Sequence, residues 1–263
     1  MPRYVIKLQY DGTRYVGYQV QPNGPSIQGA LEAALLKITK QKPDQKIATS
    51  CSGRTDSGVH ALGQVVHFDL KLDLPPEAIL NALNALLDKD IRVVAANKVS
   101  DQFHARYQVL GKGYRYRIDT GKVLNPFKRF YTTHHPYSYS LTSIQKALEP
   151  LLGWHDFTSF CSTKTDKEDK RRTLYKAEVR EDNEGQELIF DFYGNGFLYN
   201  MIRIIVGTAM QIGDGLKDPS EMQRLLQVKD RNQAGPTAPP QGLYLMHVDY
   251  RQDPFEGGAF SED

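Results

Sequence analysis

Apolar and polar residues alternate from Arg3 to Asp11, so that Tyr4, Ile6, Leu8 and Tyr10 fall on one face of an extended chain and Val5, Lys7 and Gln9 on the other. The period then changes. After the turn Pro22-Asn23-Gly24-Pro25, Ser26 stands as an N-cap, and Ile27, Leu31, Ala34, Leu35 and Ile38 recur along one helical face that Pro43 closes. Strand-like runs follow from Lys46 to Ser52 and from Gly63 to Leu70. Pro75 and Pro76 open a second helix carrying Ile79, Leu80, Leu83, Leu86 and Leu87, and Ile91 to Val99 reads as a further strand. The predicted order is βαββαβ, the split βαβ arrangement of ferredoxin-like and RNA-recognition-type domains.

The second half repeats that order without repeating the sequence. Strands are predicted at Gly113 to Thr120, Thr173 to Arg180 and Glu187 to Tyr193, with a helix at Leu141 to Leu151 between the first two. Helices near Leu198 to Ile212 and Pro219 to Leu226 precede a last strand at Gly242 to Tyr250. The expected fold class is α+β, with an N-terminal domain over residues 1–104, a C-terminal domain over 105–250, and a tail over 251–263 that shows no apolar period and reads as disordered.

From Phe197 to Ile212 the chain is apolar almost all round, which describes a core helix; it is too short and too polar to span a bilayer. Arg203 sits in the middle of it. A guanidinium buried there needs a carboxylate, and two readings stand side by side: a pair with Asp56, or emergence at the helix edge to meet Asp191 or solvent. A pair with Asp56 would lower that carboxylate's pKa and keep it ionised.

Composition narrows the setting. Two isolated cysteines, Cys51 and Cys161, make neither a disulfide framework nor a zinc motif, which suits a reducing compartment. The first residues carry no secretory signal pattern, so a cytoplasmic location without membrane attachment is expected. The net charge is +2, and since the tail contributes −3, residues 1–250 carry +5. The excess gathers in two clusters, Arg106, Lys112, Arg115 and Arg117, then Lys164, Lys167, Lys170, Arg171, Arg172 and Lys176, with tyrosines 107, 114, 116 and 175 among them. Cations interleaved with aromatic rings suit RNA; a solvated charged face is the alternative, since Asp166, Glu168 and Asp169 dilute the second cluster.

Candidate chemistry concentrates in Ser52-Gly53-Arg54-Thr55-Asp56-Ser57-Gly58-Val59-His60-Ala61, a glycine-bracketed loop between two strand-like runs. Its carboxylate, Asp56, reads either as a catalytic group beside Arg54 or as an ordinary turn residue. His60 and His67 read as hydrogen-bonded structural histidines. The stretch from Gly53 to Ala61 resembles the signature of the TruA family of tRNA pseudouridine synthases. So do Tyr10-Asp11-Gly12-Thr13 with Gly17-Tyr18-Gln19, Phe103-His104-Ala105-Arg106, Lys112-Gly113-Tyr114-Arg115-Tyr116, His155-Asp156-Phe157, Met201-Ile202-Arg203 with Val206-Gly207, and Ala238-Pro239-Pro240, in the family's order. Ser57 stands where Ala is usual, and Tyr18 where Trp is expected.

The resemblance implies a pseudouridine synthase fold: two RRM-like halves forming an extended mixed sheet with a central active-site cleft. It implies an isomerase that converts uridine to pseudouridine in the anticodon stem-loop, at tRNA positions 38, 39 and 40, as a homodimer and with no cofactor or metal. Asp56 would be the catalytic nucleophile or base, Tyr114 would stack on the uracil, and Arg203 would hold Asp56 ionised. Arg54, Arg106, Lys112, Arg115, Lys170, Arg171 and Arg172 are the expected RNA contacts. Three rivals remain: a synthase acting on another RNA, a non-catalytic RNA-binding or RNA-folding protein, and a glycoside hydrolase. The last needs a second carboxyl about 5–9 Å from the first, and none is signalled near Asp56.

Overall fold

In the computed structural model, which describes residues 1–42, 45–165, 167–182, 184 and 186–256, the chain forms two compact units. One comprises Met1–Leu110 with the segment from Leu245 onward, the other Gly111–Tyr244. The expectations at Pro43 and Asp166 and over 257–263 lie outside the described residues.

The first unit has the predicted βαββαβ order: β1 (Arg3–Tyr10), α1 (Ile27–Ile38), β2 (Thr49–Cys51), β3 (His60–Asp69), α2 (Pro76–Leu86) and β4 (Ile91–Val99). Its strands lie in the order β4-β1-β3, with β2 beside β3, all antiparallel. Ser26 caps α1 as its residue type dictates, its extended backbone letting Oγ accept the Gly29 N–H at 3.1 Å. The alternation in β1 separates two buried layers. Tyr4, Ile6 and Leu8 are fully buried, as are Leu31, Leu35, Ile79 and Leu83 of the helices, and each contributes roughly 1.5–3 kcal/mol by leaving water. Val5 faces the other way and packs with Val65, Phe103 and Ala105, against which Val248, Tyr250 and Phe255 are laid.

That second layer includes the beginning of the acidic tail. Pro254 is buried, its carbonyl accepts the Asn97 amide at 2.9 Å, and Lys7 Nζ sits 4.9 Å above the Phe255 ring. Two apolar residues without a period dock here, which a search for periodicity does not register.

His67 of β3 shows what this layer demands of a polar group. It is 6% exposed, its Nδ1 accepts the Ala105 N–H at 3.1 Å, and burial together with the nearby His104 and Arg3 lowers its pKa from 6.5 to about 4, against a smaller opposing pull from Asp69. Between about pH 6.5 and 4 the unfolded chain therefore takes up a proton that the folded unit refuses. The stability is fully present above the unfolded pKa and is lost as pH falls, by up to about 3 kcal/mol at the bottom of the window. Urea titrations across this range should show the loss, and His67→Asn, whose amide oxygen can still accept, should lessen it. An equal pH slope in both proteins would remove His67 as the cause.

The second unit holds β5 (Val109–Asp119), most of which lies beyond Leu110, then β6 (Thr133–His134), α3 (Leu141–Leu148), β7 (Gly153–Asp156), β8 (Arg171–Asp182), β9 (Glu187–Gly194), α4 (Met201–Gly213) and α5 (Glu221–Val228). Strand β10 (Leu243–Tyr250) begins in this unit and ends in the first. The order β5-β9-β8-β7 is antiparallel, and β6 lies parallel to β5. Helix α4 is the expected core helix, with every residue buried except Arg203 and Gln211. The whole is α+β, and its strands include both antiparallel and parallel pairs.

Candidate active site

The loop around Asp56 is held from both sides. Strand β3 starts at His60, three residues earlier than the pattern suggested, so the free loop is only 52–59. The segment after β1 wraps it: Thr55 O accepts the Tyr18 N–H at 3.0 Å, Gly17 bridges Asp56, and Gly58 N–H and Ser57 Oγ donate to Tyr15 O at 3.4 and 3.2 Å. The hydroxyl at position 57, where the family usually has none, thus ties the loop to its neighbour. Gly17 at φ +116° and Gly58 at φ +75° occupy left-handed backbone that favours glycine. A turn closes from Asp56 O to Val59 N–H at 3.1 Å. Asp56 is half-buried on it, and Arg54 is exposed.

Buried polar groups hold the entry to the loop. Tyr10 Oη meets Thr55 Oγ1 at 2.8 Å, Ser52 Oγ donates to Gln64 Oε1 at 2.7 Å, and Gln64 Nε2 donates to Gly53 O at 2.7 Å. Burial raises the Tyr10 hydroxyl pKa, so it stays protonated and able to donate. His60 accepts the Gly12 N–H at 3.0 Å and is 2% exposed, so it serves the fold as expected.

In the second unit, Tyr114 lies on β5 opposite Phe192 and is 8% exposed, with Phe197 edge-on at 5.0 Å. Phe197 lies in the irregular stretch between β9 and α4 and not in the helix. Asn200 adopts φ +61° and α4 begins at Met201, later than the apolar run implied. Arg203 is half-buried; its Nε donates to Ala238 O at 2.7 Å and its Nη1 to Asn200 Oδ1 at 2.9 Å, while Ala238 N–H returns a bond to Arg203 O at 3.0 Å. Two stretches that resembled the family separately, around Arg203 and around Ala238, are therefore one structural feature. Asp191, the other carboxylate considered for Arg203, is held bidentate by Arg115 at 2.7 and 3.2 Å.

The remaining basic candidates differ in how free they are. Arg115 is committed to Asp191, its partner across the β5–β9 ladder, and Lys112, Lys170 and Arg172 are half-buried. Arg106 is exposed in the turn that His104 Nδ1 organises by accepting its N–H at 3.1 Å. Arg171 is exposed, paired with Asp169 at 2.8 Å, and lies 5.3 Å over the ring of Trp154. Trp154 comes from β7, a strand of four residues that carries no readable period. Tyr175 lies 5.6 Å from Tyr193. Among the described residues no group of His, Cys, Asp and Glu is placed to hold a metal ion.

A carboxylate on a pinned loop, an aromatic ring in a buried strand and an arginine on a core helix are the parts the sequence motifs led one to expect. A family model described as tRNA pseudouridine synthase matches residues 7–108 and 147–251. The chain belongs to the tRNA pseudouridine synthase family. Proteins of this family are isomerases. Asp56 and Arg203 fall within the matched segments and Tyr114 between them. A relative from Lacticaseibacillus casei, named tRNA pseudouridine synthase A, is 52% identical over 95% of this chain and 100% of its own length. Relatives of the same name from Latilactobacillus sakei and Anoxybacillus flavithermus are each 50% identical over 95% of this chain and 99% of their own. No helix among the described residues is long and apolar enough to cross a membrane.

Proposed function

We propose that this synthase isomerises uridine to pseudouridine in the tRNA anticodon stem-loop, at positions 38, 39 and 40, with Asp56 as its catalytic carboxylate. The observation that carries this reading is the setting of Asp56: a half-buried acid on a loop fixed at entry and exit, in a chain of this family. Such fixing is what positions a reacting group before substrate arrives.

The N1–C1′ bond breaks, the detached uracil turns, and C5 joins C1′; the C5 proton leaves and N1 gains one, so no group donor or redox partner is consumed. Asp56 acts either as a nucleophile toward the base or the sugar of the nucleoside, or as a base that removes a sugar proton. Tyr114 stacks on the uracil and assists proton loss from C5, and Arg203 keeps Asp56 ionised. The target uridine has to leave its stack, at a cost of a few kcal/mol, and Arg54 is the contact assigned to that step. Arg106, Lys112, Arg115, Lys170, Arg171 and Arg172 are assigned to the tRNA backbone, Arg115 through whatever capacity its Asp191 pair leaves. The working form is a homodimer acting in the cytoplasm.

Tritium release from C5-labelled uridine in an unmodified tRNA transcript tests the reaction, and mapping the product tests the position. Release with pseudouridine at 38, 39 or 40 is expected. A folded protein that binds tRNA and releases nothing would be a binding module or would act on another RNA. Reversing the charge of Lys170, Arg171 and Arg172 together should weaken tRNA binding at least about tenfold at low salt and flatten the salt dependence by about one to two phosphate contacts. Unchanged affinity and slope would take this cluster off the contact surface.

A further inference from the structure

One buried side chain outside the proposed chemistry is placed to control it. Gln64 lies within β3, on a strand otherwise rich in apolar residues, and is 0% exposed. Its three side-chain hydrogen bonds all go to the Asp56 loop and its support. Nε2 donates to Gly53 O at 2.7 Å and to Tyr10 Oη at 3.3 Å, and Oε1 accepts from Ser52 Oγ at 2.7 Å. Tyr10 Oη passes the connection on to Thr55 Oγ1 at 2.8 Å. A single amide thus reaches residues 52, 53 and, through one relay, 55.

These partners also fix which way the amide points. A carbonyl can only accept, so the nitrogen must face Gly53 O, and the oxygen is left to Ser52. Glycine at 53 offers no side chain of its own to anchor the backbone, so its carbonyl is the available handle. The exit side of the loop is held separately, by backbone contacts with Tyr15 and Gly17. Removing the amide would therefore release the entry and leave the exit in place.

We propose that Gln64, with Tyr10 as its relay, is a positioning residue for the isomerisation: it sets the path of residues 52–55 and through them the aim of the Asp56 carboxylate. The inference rests on Asp56 being the catalytic group. A displacement of about 1 Å at a reacting group costs on the order of a hundredfold in rate, whereas tRNA affinity, spread over many phosphate contacts, is insensitive to it.

The test is the single-turnover rate of tritium release with enzyme in excess, beside the tRNA Kd and a melting curve, for wild type, Gln64→Met, Tyr10→Phe and Asp56→Asn. Gln64→Met keeps much of the volume and removes every hydrogen bond; it should slow the step about 30–100-fold with Kd within about threefold. Tyr10→Phe should slow it about five- to tenfold, and the double variant should lose less than the product of the two, because both act on one segment. A purely structural Gln64 would lower the melting temperature and leave the rate per folded molecule at the wild-type value, which overturns the proposal. If Gln64→Met does not fold, Tyr10→Phe and Ser52→Ala decide, and wild-type rates in both overturn it. Turnover retained by Asp56→Asn would instead mean that the underlying assignment is at fault.

Discussion

Replacing Asp56 by Asn is expected to reduce tritium release by about 10⁴-fold or more while tRNA affinity stays within about threefold. The size follows from what is removed: an amide of nearly the same shape is neither a nucleophile nor a base. The selectivity follows from how the loop is built. The turn to Val59 N–H uses the Asp56 carbonyl, the bridge to Gly17 uses its backbone, and the flanks are held through Gly53, Thr55 and Ser57. Those backbone contacts survive the substitution, so the loop should keep its course, and a melting curve measured beside the rate separates any loss of folded protein from the loss of chemistry. Among nearby acids, Asp11 is engaged by the Thr13 N–H at 3.0 Å and lies 3.2 Å from His60 Nδ1, which makes it a turn residue and a poor substitute. Normal turnover in Asp56→Asn would send the search for the catalytic group elsewhere.

What could be read from the chain divides along a physical line. Strand β4 runs from Ile91 to Val99 as its pattern predicts, and α1 ends at Ile38, because alternation and helical period are local signals with a cap at the boundary. Strand β7 is short and gives no such signal; it exists because the longer β8 offers it an edge. The late start of α4 was hidden because Phe197 and Leu198 are as apolar as the helix that follows, and only the left-handed Asn200 separates them. Charge is likewise only partly legible along the chain. Arg115 belongs to a basic run along the sequence, yet Asp191 cancels it across the sheet, a pairing that depends on register.

The candidate site was legible where motif and glycine punctuation coincided, at Asp56, and less so in its supports. Gln64 and Tyr10 sit in stretches that read simply as strand; what marks them is that a buried amide and a buried hydroxyl require partners. The signal was a glutamine in a run expected to be buried, and it can be found by asking of each strand which polar side chain has no route to water. The wrapping of the loop by residues 12–18 was equally invisible, since contacts between segments so far apart in the chain leave no local trace.

That wrapping makes Gly12→Ala the second substitution of large effect. An added methyl in a loop often stabilises slightly, by about 0.4–1 kcal/mol, because it restricts the unfolded chain. Here the sign should reverse. A Cβ at position 12 would lie 2.1 Å from Val59 O and 2.7 Å from Val59 C, backbone atoms that cannot rotate aside as a side chain could. The two segments have to separate, straining the Gly12 N–H bond to His60 and the turn that starts at Asp56. Overpacking of this kind costs about 1–3 kcal/mol, and because the displaced residue is three positions from Asp56, turnover should fall by on the order of a hundredfold in the molecules that remain folded. Gly196→Ala provides the contrast: its new methyl would meet only the Arg172 side chain at 3.6 Å, an ordinary contact, and should change stability by less than about 0.5 kcal/mol. Melting curves and single-turnover rates on both variants separate close approach from a general intolerance of substituted glycines. A Gly12→Ala protein with wild-type melting temperature and rate would show that the loop does not depend on this contact for its position.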